Sequence, residues 1–183
     1  MAQEMYASDE IGEIKVIRGH RHDYLAMTMD YSSPGVLKLD MTKYVKSMVD
    51  EFPNPLKETG MYPWTNSLFN VDPKSKKLDD ERASIFHTFV MKGMFLCKRA
   101  RQDIQPGIAF LLTRTSAPTE QDWTKLVKLM VFLKVTQDEV AKMKADNTQM
   151  VKWGVDASFA VHADYKSHTG ATMSLGEGVI SSV

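Results

Sequence analysis

Hydrophobic and polar positions change rhythm several times along the chain, and each change predicts an element. Between residues 13 and 40 the rhythm is strand-like. EIKVIRG is short and β-branched. HDYLAMTMDY alternates, with Leu25, Met27, Met29 and Tyr31 on one face and Tyr24, Ala26, Thr28 and Asp30 on the other. SSPG supplies turn chemistry around Pro34 and Gly35, and VLKLD returns as a short strand. The pattern predicts a three-stranded meander.

The period then lengthens. Tyr44, Val45, Met48, Val49 and Phe52 follow helical spacing over residues 41–52, with Asp40 or Thr42 as cap and Pro53 as stop. Residues 53–78 carry Pro53, Pro55, Pro63 and Pro73 and no clean period, which predicts a long connecting loop. Helical spacing resumes over 79–97. Ile85, Phe86, Phe89, Val90, Met94, Leu96 and Cys97 are too many apolar positions for one narrow stripe, so this helix should be well buried. KRARQD is a basic break, and Pro106 suits the first turn of a further helix through GIAFLLTR. The clearest helix start follows. Thr119 is a good N-cap, and Glu120 and Asp122 favour the positive end of the helix dipole. Trp123, Leu126, Val127, Met130 and Leu133 line one face.

Residues 138–150 are polar and ambiguous. Strand-like runs return at 151–162 and 168–175, and GEGVISSV begins a third, with Gly176 and Gly178 bracketing Glu177 as a tight turn. The organisation expected is therefore 1–52, a loop over 53–78, a helical region over 79–137, and a C-terminal β unit over 138–183.

Composition narrows the class without choosing a function. The chain is 43% hydrophobic and 25% charged, with a formal net charge of zero, the balance of a soluble globular protein. No global basic excess argues for nucleic acid, so only local patches can. A single cysteine, Cys97, excludes an internal disulfide and a cysteine-based zinc site. MAQEMYASDEIGE has no apolar core and does not read as a signal peptide, and no apolar run approaches membrane length. The expectation is an intracellular protein of the cytoplasm or nucleus, with no membrane partner.

Candidate chemistry is sparse. Asp156 lies on an alternating strand between Val155 and Ala157. A carboxylate there would be costly to bury alone, and spacing by itself favours a structural or solvent-facing group. Asp164 lies across the following turn, and Glu177 is the next acid. The pairs His20/His22 and His162/His168 flank turns without helical ligand spacing, and His87 stands alone on an apolar helix. Cys97 precedes Lys98 and Arg99, which could lower its pKa, but no Cys–His arrangement is visible. Basic residues crowd the middle: Lys92, Lys98, Arg99, Arg101 and Arg114, then Lys125, Lys128 and Lys134. Lys125 and Lys128, three apart, share a side of their helix, roughly opposite Leu126 and Leu133. That side either tracks phosphates or is an ordinary solvated surface.

Four stretches in order carry a resemblance. They are RGHRHDYLAMTMDYSSPGVLKLDMTKYVKSMVDEF, FHTFVMKGMFLCKRARQDIQPGIAFLLTR, DWTKLVKLMVFLKVT and VKWGVDASFAVHADYKSHTGATMSLG. Together they resemble the Pol polyprotein of copia-type retrotransposons, from just after the polymerase active site into the start of the ribonuclease H domain. The family's counterparts are a "yLGm" strand with a following helix, a "TRPDI" segment, an "a..rllrYLkgT" helix and a "y.DAdwa.d...rkStsG" strand pair. The resemblance covers most of residues 14–183.

The resemblance implies an α+β chain: an N-terminal antiparallel β meander at the palm–thumb boundary, a helical thumb-like middle, and a C-terminal three-stranded start of a ribonuclease H-like fold. It implies that Asp156 is that domain's first metal-binding aspartate, and that the parent enzyme works with Mg²⁺ or Mn²⁺. It further implies an RNA–DNA hybrid or template–primer duplex as partner, together with the remainder of Pol. Lys98, Arg99, Arg101, Lys125, Lys128 and Lys134 are the candidate nucleic-acid contacts. The polymerase's paired aspartates have no match before His22; Asp9 and Glu10 do not fit. The ribonuclease H glutamate segment would fall beyond Val183. The expected chain is therefore a fragment inactive by itself that holds template–primer. The alternatives are a non-catalytic binding or interaction module, or a subunit completed by another chain. Two departures stand out: Gln102 replaces the proline of "TRPDI", and Val135 replaces the glycine of "YLkgT". Loss of that glycine should change how the helix ends.

Overall fold

The computed structural model describes residues 16–159, 165 and 167–182. In chain order its elements are β1 (Arg21–Tyr24), β2 (Met27–Asp30), β3 (Val36–Asp40), α1 (Thr42–Asp50), α2 (Asp80–Cys97), a 3-10 turn (Gln102–Ile104), α3 (Gln105–Leu112), α4 (Glu120–Val135), β4 (Ala141–Ala145), β5 (Lys152–Ser158), β6 (His168–Ser174), β7 (Gly176–Glu177) and β8 (Ser181–Ser182). Among the described residues the class is α+β: an antiparallel sheet formed largely at the N-terminal end, four α-helices, and a second antiparallel sheet. Among the described residues no helix is long and apolar enough to cross a membrane.

The first sheet runs β1-β2-β3-β4-β7. The alternating run from His22 to Tyr31 is not one strand. It folds back at Leu25 and Ala26, which take φ of 46° and 60°, so that Tyr24 faces Met27. This is a two-residue hairpin with both central residues left-handed, a geometry that favours Asn-Gly and strains Leu-Ala. The alternation hides it, because neither residue signals a turn. Of EIKVIRG, residues 16–18 are irregular rather than strand, and 13–15 lie outside the described residues. Register places Met29, Leu39 and Ala141 across from one another, beside Leu37 and Met143. This face packs on the core. The opposite face sets Arg21, Asp30, Lys38 and Lys142 in one row.

The helices and that sheet share one core. Phe86, Val90, Leu96, Ile108, Phe110, Leu126, Met130 and Leu133 are shielded completely from solvent. Phe52 stacks on Trp123 with centroids 5.8 Å apart and meets Phe89 edge-on at 4.9 Å. Gly93 lets α2 approach α3, since a Cβ there would lie 2.3 Å from Ile108 Cδ1. The α2 start is capped by Asp79, which accepts from the Arg82 N–H. At α4, Thr119 and Asp122 form a reciprocal capping box. The proline-rich loop 53–78 is a packed strap. Leu68 is buried, and the Leu78 N–H donates to Pro118 O at 3.0 Å. The Glu120 N–H donates to Lys76 O at 2.9 Å.

The second sheet runs β5-β6-β8. Residues 138–183, expected from sequence as one unit, divide between the two sheets. β4 pairs with β3. After β6 the chain visits the first sheet as β7 and returns as β8. Gly176 and Gly178 permit the detour, with φ of 149° and 81°. A Cβ on Gly178 would sit 2.1 Å from Lys142 O.

Candidate nucleic-acid interface and the Asp156 strand

The basic side chains sort by what their charge meets. Arg101 is 3% exposed, the most buried cation of the group. Its Nε and Nη2 donate to the Asp103 carboxylate at 2.9 and 2.7 Å. Its Nη1 donates to Thr136 O at 3.0 Å and its Nη2 to Thr136 Oγ1 at 2.7 Å. Arg101 thus caps the end of α4 at the Thr136 carbonyl, and its guanidinium is engaged within the fold. This also answers the missing glycine. Val135 stays helical, and Thr136 ends the helix at φ −109°, with no left-handed residue.

Lys134 donates to Leu56 O at 3.0 Å and to Glu58 Oε1 at 2.7 Å, so a carboxylate offsets its charge. Lys92 is paired with Glu51, and hydrogen bonds from Lys92 and Ser47 lower the Glu51 pKa. Arg114 meets the buried Asp122 at 3.3 Å. Other cations have neutral partners. Lys98 donates to Ser182 O at 2.7 Å, and Arg99 lies 3.6 Å above the Phe95 ring and donates to Phe95 O. Lys125 donates to Asn70 O at 2.6 Å and lies over Phe110, and its burial lowers its pKa. Lys125 and Lys128 line one small recess with Trp64 and Leu129, as their spacing predicts. A carbonyl or ring positions an ammonium without cancelling its charge. Lys98, Arg99, Lys125 and Lys128 therefore keep a net positive charge to offer.

Asp156 sits on β5 with its carboxylate exposed, accepting from the Ala157 N–H at 2.9 Å. No burial cost arises there. It borders a cleft of about 620 Å³ between the polar face of the second sheet and the start of α3, with Gln102, Gln105, Ser158 and Thr172. Sequence reasoning missed the two glutamines, although Pro106 marked the helix start that presents Gln105. Ser182 Oγ and Gln105 Oε1 are hydrogen-bond partners, which ties the sheet to α3.

Hard divalent ions need several oxygen ligands, and a two-ion centre needs clustered carboxylates. The cleft offers one carboxylate among neutral amides and hydroxyls. Among the described residues no three of His, Cys, Asp and Glu gather as a metal-binding group. Glu177 is across on the first sheet, bonded to Lys142 at 3.2 Å, and Asp164 lies outside the described residues. The described side chains therefore do not fit a two-ion centre.

Among the described residues the histidines form no metal-binding group. His87 is exposed on α2, and His22 donates to or accepts from its own turn at Gly19 O, 3.0 Å away. His162 lies outside the described residues, as does the side chain of His168. Cys97 is fully buried and donates its S–H to Met94 O. Burial pushes its thiol up to about 11, outweighing the neighbouring Lys98. It is a core residue rather than a nucleophile. Compared with known proteins, the chain matches no family model, no curated protein and no solved structure.

Proposed function

We propose that the chain is a copia-type Pol segment spanning the end of the reverse transcriptase and the start of a ribonuclease H-like fold, and that it holds template–primer without cleaving it. The observation that carries this reading is the Arg101–Asp103–Thr136 node. These residues come from two separate family segments, "TRPDI" and "YLkgT", and they meet in one buried hydrogen-bonded cluster. That meeting gives a physical reason for the motif letters to occur together. The hairpin adds support: Ala26, at φ 60°, stands where "yLGm" has glycine, the residue suited to that angle.

Binding would rest on Lys98, Arg99, Lys125 and Lys128. The test is affinity for a short RNA–DNA hybrid across a salt series. The expected result is a straight, steep fall on a log–log plot. Lys128→Gln should reduce that slope by about one, and Lys134→Gln should change it less, since Glu58 already offsets Lys134. No binding by the folded chain would sink the reading. So would hybrid cleavage with Mg²⁺ or Mn²⁺ that Asp156→Asn abolishes.

A second reading, a subunit completed by the remainder of Pol, is favoured by the second sheet's uncovered face, where Trp153 and Val155 are 62% and 69% exposed. Hybrid cleavage on co-expression with a downstream Pol segment would support it.

A further inference from the structure

β5 lies at the end of its sheet, so one of its edges is open among the described residues. The Ala157 N–H donates to the neighbouring Asp156 carboxylate, which places it on that open edge. By the two-residue period of a strand, Trp153 and Val155 present their main-chain groups there too. The strand has no proline and no bulge to blunt this edge, and its full seven residues are exposed; its only guards are two charges of opposite sign, Lys152 and Asp156.

We infer that β5 is a homotypic docking edge, to which a second copy of this chain adds its own β5 antiparallel, with Lys152 of each copy facing Asp156 of the other. The strand's own charge pattern selects this register. It places Gly154 on the twofold axis and Trp153 beside Val155 of the second copy. Sliding by two residues either way sets both charges opposite uncharged residues: Gly154 and Ser158, or Gly154 and Met150. A slide of one residue mismatches the outward main-chain groups. In the favoured register Lys152 and Asp156 occupy a non-hydrogen-bonded pair, where side chains approach most closely. Pairing passes the Ala157 N–H to the Val151 carbonyl of the second copy and frees the Asp156 carboxylate for Lys152. Lys152 already meets Asp146 of its own chain, and it would then lie between two carboxylates. The inference is independent of the nucleic-acid reading, since it uses neither the helices nor a ligand.

The test is sedimentation velocity of the full chain over a concentration series. The expected result is a reversible dimer. Asp156→Lys should weaken it about tenfold or more, and the exchanged pair Lys152→Asp with Asp156→Lys should restore it. A chain that stays monomeric, or a dimer indifferent to Asp156→Lys, overturns the proposal. Amide exchange on the unmodified chain provides a check free of any folding defect. Protection at the Trp153, Val155 and Ala157 N–H groups should rise with protein concentration, and concentration-independent exchange at all three counts against the edge.

Discussion

The helical body and the second sheet solve the same problem, the disposal of apolar side chains, with opposite results. In the body, apolar residues on four helices meet each other and the inner face of the first sheet, and many are wholly buried. Its rare buried polar groups are paired, Arg101 with Asp103 and Thr136, and Asp122 with Arg114 and Thr119. In the second sheet, alternation builds strands and register just as well, yet Trp153, Val155 and Phe159 remain exposed. Pattern makes an element; only a facing element makes a core. Stability should therefore concentrate in the body, while the sheet's outer face is exposed among the described residues.

The sharpest contrast is truncation of a large aromatic in each region. Phe86→Ala should cost about 4 kcal/mol, a core cavity, whereas Trp153→Ala, measured at a concentration where the chain is monomeric, should stay within about 0.5 kcal/mol. Urea midpoints at constant slope measure both, and equal costs would abolish the distinction. Next is Arg101→Met. It removes the buried guanidinium and leaves the end of α4 uncapped, an expected loss of about 3 kcal/mol, read from the same denaturation curves. Gly178→Ala probes the joint between regions. The new Cβ collides with Lys142 O at a backbone angle that alanine resists, so about 2 kcal/mol should be lost. Native-state exchange should show β6 and β8 opening while α2 stays protected. The smallest effect is a gain. Ala26→Gly relieves a left-handed alanine and should raise stability by about 1 kcal/mol, visible as a higher melting temperature.

Much of the body was legible in the sequence because its signals are local. Asp79, Thr119 and Pro106 mark helix starts where they occur, and the crowded apolar positions of residues 79–97 announced a buried helix. Long-range partners were not legible. Residues 138–150 looked ambiguous because β4 acquires its meaning from β3, far away in the chain. The hairpin at Leu25–Ala26 was invisible because neither residue is a turn former. Among the candidate cations, position was legible but destination was not. Arg101 and Lys128 read alike, yet one is a buried cap and the other lines a small recess beside Trp64. The nearby Asp103 was the one hint that Arg101 already had a partner.

The pairing of Leu39 with Ala141 closes about a hundred residues of chain, the entire helical body, inside one sheet contact. In kinetic terms this imposes an order of assembly. The hairpin of β1 and β2 and the helices draw on neighbours close in sequence and can form early. The β3–β4 ladder must wait until the helices have compacted and brought its two halves within reach. β7 then depends on β4, and β8 emerges from β7. The pair of β5 and β6 is local and can form early, but its attachment to the molecule through β7 is a late event, so the β5 edge exists before the sheet that carries it is anchored.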